Sequence, residues 1–176
     1  MLRPIVSEKD HIQGNNEASI VLVEYGDYQC PYCGKAYPIV KRMQEKLGNQ
    51  LQFVFRNFPL AKIHPEATMA AVATEAAALQ GKYWEMHDII FENQDQLDKD
   101  SLLDYARGLG LDTRQFKKDI ENPALWEKVE ADFESGIRSG VNATPTFFIN
   151  GEKYNNGWEG DSMLEYMKAN KVGLLQ

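Results

Sequence analysis

Ser19-Ile20-Val21-Leu22-Val23-Glu24-Tyr25-Gly26-Asp27-Tyr28-Gln29-Cys30-Pro31-Tyr32-Cys33 is the stretch on which the fold turns. Ser19 to Tyr25 is short, apolar and β-branched, and reads as a buried strand. Lys35 to Leu47 reads as a helix that ends at Gly48-Asn49. The only two cysteines of the chain lie between these elements. If the helix begins at the motif, Pro31 falls in its first turn, where a missing N–H costs little. Cys30 then stands exposed at the helix entrance, with free backbone N–H groups and the positive end of the macrodipole at its sulfur. That setting favours thiolate over thiol, and the thiolate is the attacking species. Cys33, one turn along, faces inward. The implied roles are Cys30 as nucleophile and Cys33 as resolving thiol.

Two structural uses of the pair compete with this one. A tetrahedral zinc site needs four ligands, but no second cysteine pair exists and the three histidines (His11, His64, His87) are scattered. A static disulfide across so small a loop would restrict the unfolded chain little. A Cys-x-x-Cys between a strand and a helix fits redox chemistry better than either.

The chain has 176 residues, suited to one domain with room for an inserted subdomain. Its formal net charge is −7, without blocks of Lys and Arg. This argues against nucleic acid and against an anionic membrane surface as partners. No apolar run reaches membrane-spanning length. Met1 to Glu8 carries no apolar core of a signal peptide, which sets the expectation of a cytoplasmic protein, or a periplasmic one if a leader were removed.

Residues 1–18 read as an extended lead-in with turns at Gly14-Asn15-Asn16, and Asp10 and His11 as surface residues. Alternation puts Val21 and Val23 on one face of the strand, and Leu22 and Glu24 on the other. Glu24 is the odd residue there. It is either a solvated strand end or a half-buried carboxylate beneath the motif helix. Burial would raise its pKa and let it take and return the proton of Cys33. Asp27 lies in the turn and is expected to bind loop amides. Tyr32 should be exposed and meet the partner, and Tyr37 should pack. Pro38 should kink the helix.

Leu51 to Phe58 is a second strand, and the strand–helix–strand spacing fits a βαβ unit. From Pro65 to about Gly140 the pattern is helical: an alanine-rich helix to Leu79, a helix over Tyr83–Phe91, one capped at Asp100-Ser101, one capped at Asp112-Thr113, and one opened by Pro123. His64, before Pro65, is expected to cap or pack at the start of this insertion, with a catalytic role open. His87 is expected to be structural. Thr146 to Ile149 is a strand, Asn150-Gly151 a hairpin turn, and Asp161-Ser162 opens the last helix. The Thr144–Pro145 bond is trans by default, since X–Pro bonds are cis only about 5–6% of the time.

Four separated motifs then stand in one order: Val23 to Gly34, Phe55-Arg56-Asn57-Phe58-Pro59-Leu60 with Ile63-His64-Pro65, Trp84-Glu85-Met86-His87-Asp88, and Ala143 to Gly151. Together they resemble the DsbA-like thioredoxin family over nearly the whole chain. The likeness is greatest to a branch whose members are often leaderless and sometimes fused to sodium/proton antiporters. The resemblance implies an α/β thioredoxin-like fold, a mixed sheet flanked by helices, over 1–62 and 140–176, with an all-helical insertion at 63–139. It implies a cis Thr144–Pro145 bond beside the cysteines and an acidic role for Glu24. Pro31, Tyr32, Thr144 and Pro145 would contact an extended substrate segment. One departure is the dipeptide Pro31-Tyr32, familiar from glutaredoxins, where strong periplasmic oxidants have Pro-His.

The expected activity is thiol–disulfide exchange on protein or peptide thiols and disulfides, by a monomer, linked to thioredoxin or glutathione, without metal or organic cofactor. A glutathione-linked reductase, an iron–sulfur binder through Cys30, and a redox-inert binding module are the rival readings.

Overall fold

A computed structural model describes residues 1–172. Among these, one five-stranded sheet has the order β1-β3-β2-β4-β5. The strands are β1 (His11–Gly14), β2 (Ile20–Gly26), β3 (Leu51–Asn57), β4 (Thr146–Ile149) and β5 (Glu152–Lys153). β2 and β3 run parallel, joined by α1 (Pro31–Leu47), and the other pairings are antiparallel. Between β3 and β4 in sequence come α2 (Ala67–Ala78), α3 (Tyr83–Glu92), α4 (Lys99–Gly108), α5 (Thr113–Asp119) and α6 (Pro123–Arg138). The final helix α7 spans Ser162–Val172.

β2 lies in the middle of the sheet and meets an apolar layer on each face, which is why it reads as a nearly continuous hydrophobic run. Ile20 and Leu22 join one layer with Val40 and Met43 of α1 and Ala70 to Ala77 of α2. Val23 and Tyr25 join the other, with Leu2, Val54, Phe58, Val141 and Phe148. α1 turns a single stripe inward: Cys33, Ala36, Val40, Met43 and Leu47 are buried. This three- and four-residue spacing fixes which side of the motif faces the core. α2 is buried nearly all round, and its alanines let neighbouring elements approach closely.

Side-chain caps start the helices that follow. Asn122 accepts from the Ala124 N–H, with Pro123 behind it, and Asp112 accepts from the Gln115 N–H. The cap of α4 is Asp98, which binds the Asp100 and Ser101 amides, not Asp100-Ser101 as expected. The β4–β5 hairpin turns at Asn150 (φ 50°) and Gly151 (φ 83°), the two positive φ angles that a tight Asn-Gly turn needs.

Residues 1–18 are more structured than expected. β1 pairs with β3 through His11↔Phe55 and Ile12↔Val54. Asp10 is not a surface residue: its side chain is 7% exposed and takes two hydrogen bonds from Arg56, at 2.7 and 3.0 Å. Arg56 also donates to the Pro4 and Ile5 carbonyls, so one buried guanidinium pins the N-terminal segment. His11 bonds Glu75 of α2 at 2.7 Å. These contacts come from residues far along the chain, and His11-Ile12-Gln13-Gly14 has too little apolar alternation to announce a strand.

Candidate active site

Cys30 is the N-cap of α1 and Pro31 its first residue. The Cys30 amide donates to the Asp27 carbonyl and to Asp27 Oδ1, both at 3.1 Å, which closes the turn between β2 and the helix. The Cys30 thiol donates to the Thr144 carbonyl at 3.6 Å. The Thr144–Pro145 bond is cis, against the sequence default and as the resemblance implied. The intrinsic trans preference of an X–Pro bond is only about 0.5–1 kcal/mol, so tertiary contacts readily override it.

Cys30 is buried rather than exposed, at 4%. The turn that precedes it and the Ala143–Pro145 loop close over a residue that helix geometry alone would leave open. Tyr32, by contrast, is 58% exposed, and Lys35 Nζ lies 5.3 Å from its ring centroid. The Cys30 thiol is lowered to about 5. The largest cause is the hydrogen bond from Cys33, with Thr144 and the Cys33 and Tyr32 amides adding, while burial works the other way. The Thr144 hydroxyl has no other partner among the described residues, so it is free to donate to a Cys30 thiolate.

Cys33 is fully buried and pushed well above the ordinary thiol range, first by desolvation, then by its hydrogen bond to Cys30 and the charge of Glu24. The Asp27 N–H donates to its sulfur at 3.4 Å. The two thiols are therefore driven apart: one carries the charge and its neighbour keeps the proton.

Glu24 is 2% exposed, so the solvated-end reading does not hold. In register it stands beside Phe55 of β3 and Phe147 of β4. Its Oε1 has no hydrogen-bond partner among the described residues. Desolvation, with the charge of Cys30 second, raises its carboxyl to about 8. A carboxyl held there near neutral pH suits proton transfer.

The structure brings Cys30, Cys33 and Thr144 together, with Pro31 and Pro145 adjacent in the chain and Tyr32 at the solvent side. Two further contacts were not visible in the sequence. Gln94, between α3 and α4, donates to the Tyr28 and Cys30 carbonyls, both at 2.9 Å. A Cβ at Gly34 would fall 2.0 Å from Gln94 Oε1, so the glycine after the motif makes room for this side chain. His64 lies 2.8 Å from Asp27 Oδ2. Asp27 does bind loop amides, those of Gln29, Cys30 and Leu60. His87 is buried among aromatic rings, with Nδ1 3.0 Å from the Tyr28 hydroxyl, and burial pushes its pKa well below the usual range. Only a neutral imidazole fits there. Among the described residues no group of His, Cys, Asp and Glu is disposed to hold a metal ion, and no helix is long and apolar enough to cross a membrane.

The thioredoxin family model matches residues 6–169. A thioredoxin-like oxidoreductase from Silicibacter pomeroyi superposes with a TM-score of 0.82 at 28% identity, covering 94% of each chain. BdbD from Bacillus subtilis (TM-score 0.79, 24% identity, 92% of each chain) shares the fold. So does the thiol-disulfide exchange protein α-DsbA2 from Wolbachia pipientis, at TM-score 0.80 and 21% identity over 97% of this chain and 89% of that one. In sequence, the Na(+)/H(+) antiporter NhaA 1 of Mycolicibacterium vanbaalenii is 39% identical over 173 residues, 97% of this chain but 28% of that protein's length. The chain thus spans little more than a quarter of the length of the curated relatives it matches. From the motif between β2 and α1 to the cis-proline loop before β4, the chain belongs to the thioredoxin family, with the DsbA-like form of its fold.

Proposed function

We propose that the protein exchanges thiols and disulfides in protein or peptide substrates, with Cys30 as nucleophile, Cys33 as resolving thiol and Glu24 as the group that handles the Cys33 proton. The observation that carries this is the placement of the cysteines: Cys30 caps α1 with its sulfur 3.6 Å from the Thr144 carbonyl, and Cys33 lies one turn on, fully buried, a setting that favours charge on Cys30 and the proton on Cys33.

In the reducing direction the Cys30 thiolate attacks one sulfur of a substrate disulfide, and the other sulfur leaves as a thiolate. Cys33 then gives its proton to Glu24 in its ionised form, the minor form at neutral pH, and attacks Cys30 in the mixed disulfide. The second substrate thiol departs, the substrate gains two electrons and the protein becomes the disulfide. In the oxidising direction a substrate thiolate attacks the Cys30–Cys33 disulfide, and Cys33 leaves and recovers its proton. Stabilising the Cys30 thiolate lowers the energy of the dithiol form, which favours taking electrons from substrate dithiols. The Thr144 carbonyl lies 3.6 Å from the Cys30 sulfur and the Tyr32 ring is exposed two residues on, so a substrate segment would lie extended along the Thr144–Pro145 loop with Tyr32 within its reach.

An insulin-reduction assay tests the reading. The native chain should reduce insulin, and Cys30→Ser should be inactive. Cys33→Ser should accumulate a mixed disulfide with substrate. Native protein without exchange activity, or an active Cys30→Ser variant, would overturn it. Equilibration against glutathione then sets the direction.

A further inference from the structure

Asp27 is the point where the active-site turn meets the segment before α2. Its side chain is fully buried, and each oxygen takes two hydrogen bonds. Oδ1 accepts from the Gln29 amide at 2.8 Å and the Cys30 amide at 3.1 Å. Oδ2 accepts from the Leu60 amide at 2.8 Å and from His64 Nδ1 at 2.8 Å. The Asp27 amide meanwhile donates to Cys33 Sγ. One carboxylate therefore touches the backbone of the nucleophile, while its own backbone touches the resolving sulfur. Among the described residues His64 is its only side-chain partner, and that side chain is 16% exposed.

A buried carboxylate here opposes negative charge on the Cys30 sulfur unless a donor draws its own charge away. A carboxylate only accepts, so Nδ1 carries the proton in this contact. The backbone supports the geometry: the His64 amide donates to the Leu60 carbonyl at 2.9 Å, and Pro65 holds the next residue.

We propose that His64 is a positioning residue: by donating from Nδ1 to Asp27 it holds the turn under Cys30 and offsets the Asp27 charge, and so favours the Cys30 thiolate and the dithiol form. This rests on the reading of the cysteine pair as a thiol-exchange site. It gives the Ile63-His64-Pro65 segment a task in setting the redox equilibrium, not only in opening the helical region.

The equilibrium protein disulfide + 2 glutathione ⇌ protein dithiol + glutathione disulfide reads this directly, together with the ultraviolet titration of the Cys30 thiolate. His64→Ala should shift the equilibrium towards the protein disulfide by roughly three- to tenfold and move the Cys30 titration upward in step, since tenfold corresponds to about one pKa unit. His64→Asn places an amide N–H near the position of Nδ1 and should restore most of the shift. His64→Leu, of similar bulk but without a donor, takes the place of His64→Ala if that chain does not fold. A donor-less variant equal to native protein in both readouts would overturn the proposal, even if it were less stable. So would a His64→Asn variant no closer to native than His64→Leu. If the native protein itself neither equilibrates with glutathione nor shows a low Cys30 titration, the exchange reading fails first, and that result is separate from the comparison among His64 variants.

Discussion

Two glutamates lie buried in the same core and behave oppositely. Glu24 of β2 is 2% exposed and Glu75 of α2 is 4% exposed. Glu24 stands beside Phe55 and Phe147 with Oε1 unpartnered among the described residues, and burial raises its carboxyl pKa to about 8. Burial works against the Glu75 charge as well, but His11 at 2.7 Å, Lys128 at 3.7 Å and Asn57 at 3.1 Å outweigh it and hold that carboxyl below its ordinary value. Lys128 also binds Asp132 at 2.7 Å, and Asp132 accepts from the Asn57 backbone and side chain. Depth is therefore not what sets the proton affinity of a buried carboxyl. The number and sign of the partners decide it. Glu75 joins β1, β3, α2 and α6, whereas the Glu24 carboxyl has no such tie and holds its proton more tightly.

The comparison can be broken most directly at Glu75. Glu75→Leu leaves His11, Lys128 and Asn57 without one of their partners, and should cost about 3–5 kcal/mol in urea unfolding at neutral pH. A neutral effect would mean that the network is not a tie. Glu24→Leu should do the reverse. Folded Glu24 keeps its proton up to about pH 8, whereas the unfolded chain releases it near 4.5. Folding thus takes up a proton in that window, and native stability declines as pH rises from 4.5 to 8. Removing the carboxyl should stabilise by about 2–4 kcal/mol above pH 8, with the gain fading towards pH 4.5, and the variant should resolve mixed disulfides slowly. Unfolding at both ends of the window and single-turnover exchange measure the two effects, and a pH-independent stability difference would contradict the assignment. Lys128→Met, which removes one cation and leaves His11 and Asn57 on Glu75, should cost less, about 1–3 kcal/mol.

The helical and strand pattern was legible because it is local. Apolar, β-branched β2, the alanine run of α2, Pro123 and Asn150-Gly151 each announce their element within a few residues. Asp98 was missed as a cap because Asp100-Ser101, two residues on, offers the same side-chain chemistry. β1 was missed because its pairing depends on Phe55 and Arg56, more than forty positions away. At the site, Cys30 and Cys33 were legible from spacing. Gln94 and Asp27–His64 were not, since no local pattern links a glutamine after α3 to the Cys30 carbonyl.

By itself the sequence determined the Cys30–Cys33 pair, its strand–helix frame, the proline in the first helical turn and the misplaced acid at Glu24. Those follow from residue order, because backbone geometry over one turn is set by the residues in it. Only the tertiary structure decided which sulfur would hold charge, how deeply Cys30 lies, the isomer of the Thr144–Pro145 bond and the fate of each buried carboxylate. Proton affinity depends on solvent and partners, and the chain supplies both from distant positions once it folds.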